Sequence, residues 1–414
     1  MVLRRRNEAG QINQQMSNVY YAQGRLEDLG AYLCSSGELV PFVISGGAQP
    51  DERYAPLYDF FDTFIGRFPM IILHNGDIHI EAMAIQAWEA SGTCEMSPLW
   101  AVNQRSARFE PFYGMSAQQV TAVVRQLAKK LGYTPLPRLE RITRAHIEIL
   151  TQLEIPVSLS GFFYLCQFED MGEFHENILA LPCGEEVGRR IWADLGVDGE
   201  ESGGQFDLFR TVIFGLARDA VQSGWSEDNS VADLNCLEAI RRGGTLLLSA
   251  NDLYAELLLP YLVEEWKGSG RTPFILLIDG MRIEDSQMLD YLRHPSAGCC
   301  CGIISENIVD AVPGDENDFQ RFAEQIRCFI FFKHGTAKTA AALSEIMGRC
   351  DHAKVESSQG VSRGFFQFLP RDRHEDVRCS IENRYRVMPE EITGLRAGQA
   401  VVFDASEDQI IHFN

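Results

Sequence analysis

The sequence has 414 residues, more than one hydrophobic core usually organises, so two domains or one large domain with an insertion are expected. Apolar residues make up 45% and charged residues 23% of the chain, which indicates a globular protein and argues against disorder, collagen and coiled coil. The formal net charge of -21 argues against autonomous binding to nucleic acids or anionic lipids, because neutralising phosphates requires clustered Lys and Arg.

The sequence offers no targeting signal. Arg4, Arg5 and Arg6 are not followed by an apolar stretch, and the longest apolar runs fall far short of the ~20 residues of a membrane span. The 11 cysteines of a chain this long are typical of buried thiols in a reducing compartment. We therefore expect a cytoplasmic protein.

The first part of the chain alternates between strand and helix patterns. Apolar runs and helical repeats predict, in order, a strand, a helix, a strand, a turn and a helix. They cover Glu38 to Ile44, Tyr58 to Phe68, Pro69 to Leu73, His74 to Asp77, and Glu81 to Glu89. The first strand is ended by Ser45-Gly46-Gly47, and the aromatic residues of the first helix are expected to pack in the core.

The middle of the chain changes character, because apolar residues recur every three to four positions and little resembles a strand. The predicted helices cover Ser116 to Leu131, Arg138 to Leu153, Glu185 to Leu195, and Phe206 to Gln222. We predict an all-helical insertion, joined to its last helix by a polar, glycine-rich stretch at Gly199 to Gly204.

After Ser230 the alternation returns, which predicts a parallel sheet covered by helices on both faces. The predicted strands are Gly244 to Ser249, Pro273 to Asp279, Gly302 to Ser305, and Arg327 to Phe332. The predicted helices are Val231 to Arg241, Leu253 to Lys267, Met288 to His294, Phe319 to Ile326, and Thr336 to Met347. From Phe365 onward short strands and a small helix near Pro389 to Leu395 are expected.

Several stretches carry a resemblance to a known family. They are the strand ending at Asp279, GIISEN at Gly302 to Asn307, FIFFKHGTAKTAAALSEIMG at Phe329 to Gly348, and MPEEITGLRAGQAVVF at Met388 to Phe403. Together with FEPFYGMSAQQ at Phe109 to Gln119, their order resembles the TraG/TraD-like coupling proteins of type IV secretion and conjugation, a branch of the FtsK/HerA ATPases.

The resemblance implies an α/β fold with a RecA-like, P-loop NTPase-type parallel sheet flanked by helices and an inserted all-α domain. It implies that residues 1–108 and 227–414 form the two parts of the RecA-like domain and that residues 109–226 form the insertion. It also implies an ATPase that recruits DNA-bound or protein substrates to a secretion channel, usually as a membrane-tethered hexamer. We expect no such tether in this sequence.

A phosphate-binding loop needs glycines, a lysine and a magnesium-binding hydroxyl. We place the corresponding turn at Asn75, Gly76 and Asp77, where only Gly76 is of the required type. Asp77 and Glu81 would set negative charge where a triphosphate binds, and the first lysine of the chain is Lys129. An ordinary strand-to-helix turn is the simpler interpretation.

The second nucleotide-binding motif is half retained. Asp279 matches the family's magnesium-positioning aspartate, but Gly280 occupies the place of its catalytic glutamate. Glu306 stands where the family has a γ-phosphate-sensing glutamine, and a carboxylate there would repel the nucleotide. The three turn residues, Asp279 and Glu306 are thus predicted to form a vestigial nucleotide site, and no cofactor is expected.

Two other constellations invite a functional interpretation. His334 to Thr339 imitates the end of a phosphate loop but is too short, which leaves a weak anion site at the following helix start as an alternative. Cys299, Cys300 and Cys301 lack the paired spacing of zinc ligands, so buried thiols are expected.

The leading hypothesis is a pseudo-ATPase that recruits substrates or assists assembly in a secretion or conjugation apparatus. Its partners would be proteins of that apparatus, and it would form a homo-oligomer or a hetero-oligomer with an active ATPase. The alternative is an active ATP- and magnesium-dependent hydrolase or translocating motor, with Asp279 positioning the metal and Glu306 or Asp77 as base. A third hypothesis is a structural protein whose helical insertion binds a protein substrate without ring assembly.

Overall fold

The structure is a computed structural model. It describes residues 18–34, 39–47, 49–93, 96–102, 108–112, 115–130, 132–134, 138–197, 200–222, 233–234, 236–249, 273–281, 299–312, 314–361 and 373–414. The helices predicted at Leu253 to Lys267 and Met288 to His294 lie outside the described residues.

The described strands are short, except for two near the carboxyl terminus. They are β1 (Val19–Ala22), β2 (Phe42–Ser45), β3 (Met70–His74), β4 (Leu99–Ala101), β5 (Arg108–Phe109), β6 (Asp233–Leu234), β7 (Thr245–Ser249), β8 (Phe274–Asp279), β9 (Cys299–Ser305), β10 (Cys328–Phe331), β11 (Arg349–Val361), β12 (Arg373–Tyr385), β13 (Ala400–Asp404) and β14 (Gln409–Phe413).

The described α-helices alternate with these strands or cluster in the middle of the chain. They are α1 (Gly30–Cys34), α2 (Pro50–Tyr54), α3 (Leu57–Phe64), α4 (Ile78–Ala90), α5 (Ala117–Lys130), α6 (Leu139–Gln152), α7 (Leu159–Cys166), α8 (Met171–Leu179), α9 (Glu185–Leu195), α10 (Glu200–Gln222), α11 (Cys236–Arg241), α12 (Ile308–Ala311), α13 (Glu316–Ala323), α14 (Ala337–Met347) and α15 (Pro389–Thr393).

Ten strands form one sheet in the order β1-β14-β13-β10-β2-β9-β8-β3-β7-β4. The pairs β2/β10, β3/β8, β3/β7, β4/β7 and β1/β14 are parallel, whereas β13 is antiparallel to both β10 and β14. β2, β3, β8 and β10 are buried along their whole length, which explains their continuous apolar sequences. The predicted α/β fold with a mostly parallel sheet is confirmed.

The chain divides into two compact units, residues 1–60 with 303–414 and residues 61–302. The first unit holds β1, β14, β13, β10 and β2, and the second holds β8, β3, β7 and β4. The predicted domain boundaries, with an insertion at 109–226, stay a prediction.

The described elements from α5 to α10 are all helical, and α9 has the predicted bounds. α7 and α8 are absent from the sequence prediction, although Ser158 and Asp170 cap them by accepting hydrogen bonds from backbone amides. α10 begins at Glu200, so the stretch predicted as a joint before the last helix is mostly helix.

Core predictions are largely confirmed. Phe60, Phe61 and Phe64 are at most 2% exposed, whereas Tyr58 is 47% exposed. Cys300 and Cys301 are buried within β9, as expected. No helix among the described residues is long and apolar enough to cross a membrane.

β11 and β12 form a separate antiparallel ribbon of 13 cross-strand pairs, from Arg349 opposite Tyr385 to Val361 opposite Arg373. The expectation of short strands is therefore wrong for β12. Its sequence has few apolar residues, so neither a continuous nor a strictly alternating apolar pattern marks its length.

Candidate functional site

The turn after β3 joins most of the predicted site residues. β3 pairs with β8 so that His74 lies opposite Asp279, and the amide of Asn75 donates a hydrogen bond of 3.2 Å to the carbonyl of Asp279. Gly76 adopts φ +72° and is exposed. The structure thus brings Asn75, Gly76, Asp77 and Asp279 together at the carboxyl edge of the sheet.

Asp77 closes this turn by capping α4. Its Oδ1 accepts a hydrogen bond of 2.8 Å from the amide of His79. The amino terminus of a helix is a general anion site because its first amides point outward with the positive end of the helix dipole. Here a carboxylate of the protein already occupies that place, and only three residues separate β3 from α4.

Glu81 does not line the turn, so the expectation that it would face a triphosphate is wrong. Its side chain is buried, and its Oε1 lies 2.8 Å from Nε2 of the fully buried His74. Glu81 is one helical turn beyond the cap and therefore projects back toward the sheet. It holds the last residue of β3 rather than a ligand.

Asp279 ends β8 and is 3% exposed. Gly280 follows at φ +65°, a left-handed conformation that side-chain-bearing L-residues rarely adopt. A Cβ at this position would also lie 3.4 Å from Cβ of Asn75. A glutamate in place of Gly280 would therefore be strained, so the backbone after β8 is shaped for glycine.

The sheet order identifies a second crevice. From β2 the chain crosses past β9 and β8 to β3, whereas from β9 it crosses in the opposite direction, past β2, to β10. Ligands of open α/β sheets bind beyond the carboxyl ends of the strands at such a reversal. The reversal lies between β2 and β9, where the amide of Gly46 donates to the carbonyl of Ser305 at 3.1 Å.

Glu306 lies in this second crevice. It follows β9 directly and is exposed, and the next residue, Asn307, caps α12. The amide of Ile308 donates a hydrogen bond of 3.0 Å to Oγ of Ser45, which ties the turn after β9 to the end of β2. Glu306 belongs to the first unit, whereas the cluster around Asp279 belongs to the second.

The turn after β2 has unusual chemistry for an anion site. Gly46 and Gly47 adopt φ +93° and +89°, and their carbonyls accept hydrogen bonds of 3.2 and 3.4 Å from Nη1 of Arg53. α2 follows with Pro50 in its first turn, and its amino terminus has no side-chain cap. Proline has no N–H to offer a phosphate, and the next two residues, Asp51 and Glu52, are acidic.

His334 packs against this turn. It is 3% exposed, and a Cβ added to Gly46 would stand only 2.8 Å from its Nε2. Desolvation lowers the pKa of His334 to about 4, partly offset by a hydrogen bond with the backbone of Ser45. The imidazole is therefore neutral at pH 7 and adds no positive charge to the crevice.

The helix start that imitates a phosphate loop is also filled from within. Oγ1 of Thr336 accepts a hydrogen bond of 3.3 Å from the amide of Thr339 and donates one of 2.7 Å to its hydroxyl. Oγ1 of Thr339 in turn donates to Asn307 at 3.3 Å. The amide of Thr339, near the start of α14, thus already has a hydrogen-bond partner within the protein.

Sequence reasoning found the turn after β3 and Glu306 but missed the contribution of Ser45, Gly46, Arg53 and His334. The available signal was Ser45-Gly46-Gly47 at the end of a buried apolar run, which predicts a strand followed by a glycine turn. Within the described residues no group of three or more His, Cys, Asp or Glu side chains is placed to hold a metal ion.

The fold is similar to that of a bacterial conjugative coupling protein. The unbound monoclinic form of TrwBΔN70 matches with a TM-score of 0.54 and 14% identity over 90% of this chain and 84% of that chain. The trigonal form in complex with sulphate gives 0.54 and 14% over 92% and 86%. VirB4 of Thermoanaerobacter pseudethanolicus gives 0.42 and 11% over 74% and 80%.

The chain thus shares its fold with this coupling protein, and the predicted RecA-like α/β fold is confirmed. No protein-family model matches the sequence, and no curated protein matches it.

Proposed function

We propose that the protein is a degenerate relative of the type IV secretion coupling ATPases that recruits substrates or assists assembly without conventional ATP hydrolysis. The observation that carries this proposal is the turn after β2, at the reversal of the sheet. There the place of a phosphate cradle is taken by a helix that starts with a proline and two acidic residues. The fold supports the relationship to coupling proteins, whereas the residues of the turn after β2 argue against ATP hydrolysis.

Electrostatics oppose a triphosphate in this crevice. Two unit charges 4 Å apart interact by about 4 kcal/mol at an effective dielectric constant of 20. Asp51, Glu52 and Glu306 are carboxylates near the carboxyl ends of β2 and β9. Arg53 donates to the glycine carbonyls of its own turn, and residues 45–54 contain no lysine. A bound triphosphate would meet repulsion from these carboxylates.

The residues after β3 and β8 offer no alternative site for a nucleotide. Asp77 occupies the start of α4, and Gly280 cannot be exchanged for a catalytic glutamate without backbone strain. Asp279 alone would be left to hold magnesium through water. These residues do not fit a magnesium nucleotide, so no hydrolytic step is assigned to them.

What remains is a role through protein contacts. The net charge of -21 argues against autonomous binding to nucleic acid, so the expected partners are proteins of a secretion or conjugation apparatus. An active ATPase of similar fold is a natural partner, since chains with a common architecture can assemble through equivalent faces.

Titration calorimetry with ATP and magnesium chloride tests the proposal. We expect no heat of binding at nucleotide concentrations up to about 1 mM, which corresponds to a binding free energy weaker than about -4 kcal/mol. Steady-state phosphate release is measured on the same samples, and we expect none above buffer.

Two variants show what to conclude if ATP is bound and hydrolysed. If ATP binds at micromolar concentration and is turned over, the proposal fails and the alternative of an active hydrolase predicts that Asp279→Asn abolishes turnover. Asp404→Asn is the matched control, because Asp404 also ends a strand of the same sheet, and its Oδ1 accepts a hydrogen bond of 2.9 Å from the amide of Ser406.

A further inference from the structure

The helical part of the second unit carries partly exposed aromatic side chains around the carboxyl end of α7. Tyr164 is 51% exposed, and Phe163, Phe168 and Phe214 of α10 are half-buried. Arg210, also half-buried, lies among them. We call these five residues the aromatic patch. Single exposed apolar side chains are common on protein surfaces, whereas a contiguous group of them marks a binding site.

The rings of the aromatic patch are held by contacts with one another. Phe163 meets Phe214 edge to face, with ring centroids 5.2 Å apart, which joins α7 to α10. Tyr164 meets Phe168 edge to face at 5.9 Å. Phe168 is in turn stacked at 4.7 Å on the buried Phe174 of α8. Such contacts are favourable, so the rings lose little freedom when a partner binds.

Arg210 connects the two ring pairs. Its guanidinium lies 5.9 Å from the ring centroid of Phe214. Its Nε donates a hydrogen bond of 3.0 Å to the carbonyl of Cys166, and its Nη2 donates one of 3.3 Å to the carbonyl of Phe168. These carbonyls lie at and just beyond the carboxyl end of α7, where the helix dipole favours a cation. The positive charge of Arg210 is therefore directed at the backbone.

Carboxylates flank the aromatic patch. Glu169 follows Phe168 directly, and Glu173 stands in the first turn of α8. Asp207 precedes Arg210 by one turn of α10. All three carboxylates belong to exposed residues, and none of the described basic residues forms an ion pair with them. Cations are attracted both to carboxylates and to the faces of aromatic rings, so this surface complements a partner with apolar and cationic groups.

The composition of the aromatic patch favours a protein partner. Aromatic residues and arginine are enriched at the centres of protein interfaces, where they contribute most of the binding energy. Aromatic rings can also stack on the bases of single-stranded nucleic acids, but such platforms lie in positively charged grooves. The carboxylates beside this patch would instead repel a phosphate backbone.

We propose that the aromatic patch binds a basic, amphipathic segment of a partner protein. Its apolar side chains would pack against Phe163 and Phe214, and its lysine or arginine side chains would contact Tyr164, Glu169 and Asp207. This inference rests on the proposed role through protein contacts. The ATP titration tests that role and a peptide titration tests this surface, so either result can fail without the other.

Fluorescence anisotropy with the full chain measures the binding. The probe is a labelled helical peptide of about 18 residues with leucine on one face and lysine on the other, and its twin has glutamate in place of lysine. We expect a dissociation constant of about 10–100 µM for the basic peptide and no binding of the acidic twin. Absence of binding by the basic peptide, or equal binding of both peptides, overturns the proposal.

Two tyrosine variants locate the site. Tyr164→Ser removes the exposed ring of the patch, and Tyr133→Ser removes a ring of similar exposure, 45%, beyond the end of α5. The dissociation constant of the basic peptide should rise about fivefold or more in Tyr164→Ser and change less than about twofold in Tyr133→Ser. Circular dichroism confirms that both variants are folded. Equal effects of the two variants would place the peptide elsewhere and refute the assignment.

Two charge variants separate specific binding from attraction to an acidic chain. Glu169→Lys and Glu154→Lys change the net charge equally, but Glu154 is an exposed residue in the turn before α7, toward the other end of that helix. We expect Glu169→Lys to weaken binding of the basic peptide about threefold more than Glu154→Lys does. Equal weakening would indicate non-specific attraction and contradict the proposal. Tighter binding of a labelled single-stranded oligonucleotide than of the basic peptide would also overturn it.

Discussion

The turns after β2 and β3 both lead from a buried parallel strand into a helix, yet the two helices begin differently. The turn after β3 leads to a 13-residue helix whose amino terminus is filled by the Asp77 carboxylate. The turn after β2 leads to a five-residue helix that starts with Pro50 and has no side-chain cap. One turn blocks the helix donors, and the other removes one of them.

The two turns also differ in how tightly the structure holds them. Gly46 is enclosed by Phe332, Lys333 and His334, whereas a Cβ on Gly76 would meet only Oγ of Ser249, at 3.9 Å. A short, exposed turn can be replaced or redesigned without disturbing the sheet. The enclosed turn after β2 cannot, because neighbouring backbone and side-chain atoms hold it in place.

The largest expected effect separates the two glycines. A Cβ on Gly46 would lie 2.8 Å from the carbonyl oxygen of Phe332 and 2.9 Å from that of Lys333, at a left-handed φ. Gly46→Ala should lower the free energy of unfolding by about 3 kcal/mol or more. Gly76→Ala has only the φ strain and should lose about 1–2 kcal/mol. Urea denaturation measures both, and equal losses would contradict the difference in enclosure.

An intermediate effect is expected from pH. The pKa of His334 is lowered from 6.5 to about 4 in the folded protein. Between these values the unfolded chain binds a proton that the folded chain does not, so stability falls as pH falls from 6.5 toward 4. From pH 7 to pH 5 this contribution amounts to about 2 kcal/mol.

Replacing the imidazole tests this assignment. His334→Gln should lose about 2 kcal/mol less than the wild type between pH 7 and pH 5, as measured by urea denaturation at each pH. A pH dependence of His334→Gln equal to that of the wild type would contradict the assignment.

The smallest effect concerns the helix caps. Asp77→Ala removes the carboxylate that accepts from the amide of His79 and should cost about 1 kcal/mol. Gln49 stands at the same position before α2 without a side-chain hydrogen bond, so Gln49→Ala should change stability by less than about 0.5 kcal/mol. Thermal denaturation measures the loss of stability in both variants. A larger loss in Gln49→Ala than in Asp77→Ala would contradict this prediction.

Much of the fold follows from the sequence. The strands β2, β3, β8 and β10 are continuous apolar runs because both faces of a central parallel strand are buried, and each was predicted within a few residues. α9 was predicted at its observed bounds, since its apolar residues recur at helical spacing. α7, α8 and the long ribbon strand β12 were missed, because their patterns are short or mostly polar.

For the candidate site, too, some features follow from the sequence and others only from the tertiary structure. The sequence by itself determined that lysine is missing from the first 128 residues, that Gly280 follows Asp279, and that the chain is strongly acidic, because these are properties of residue identity. Only the tertiary structure decided that Glu81 turns inward to His74, and that the sheet reverses between β2 and β9. Strand order and burial depend on contacts between residues far apart in the chain, which no local pattern encodes.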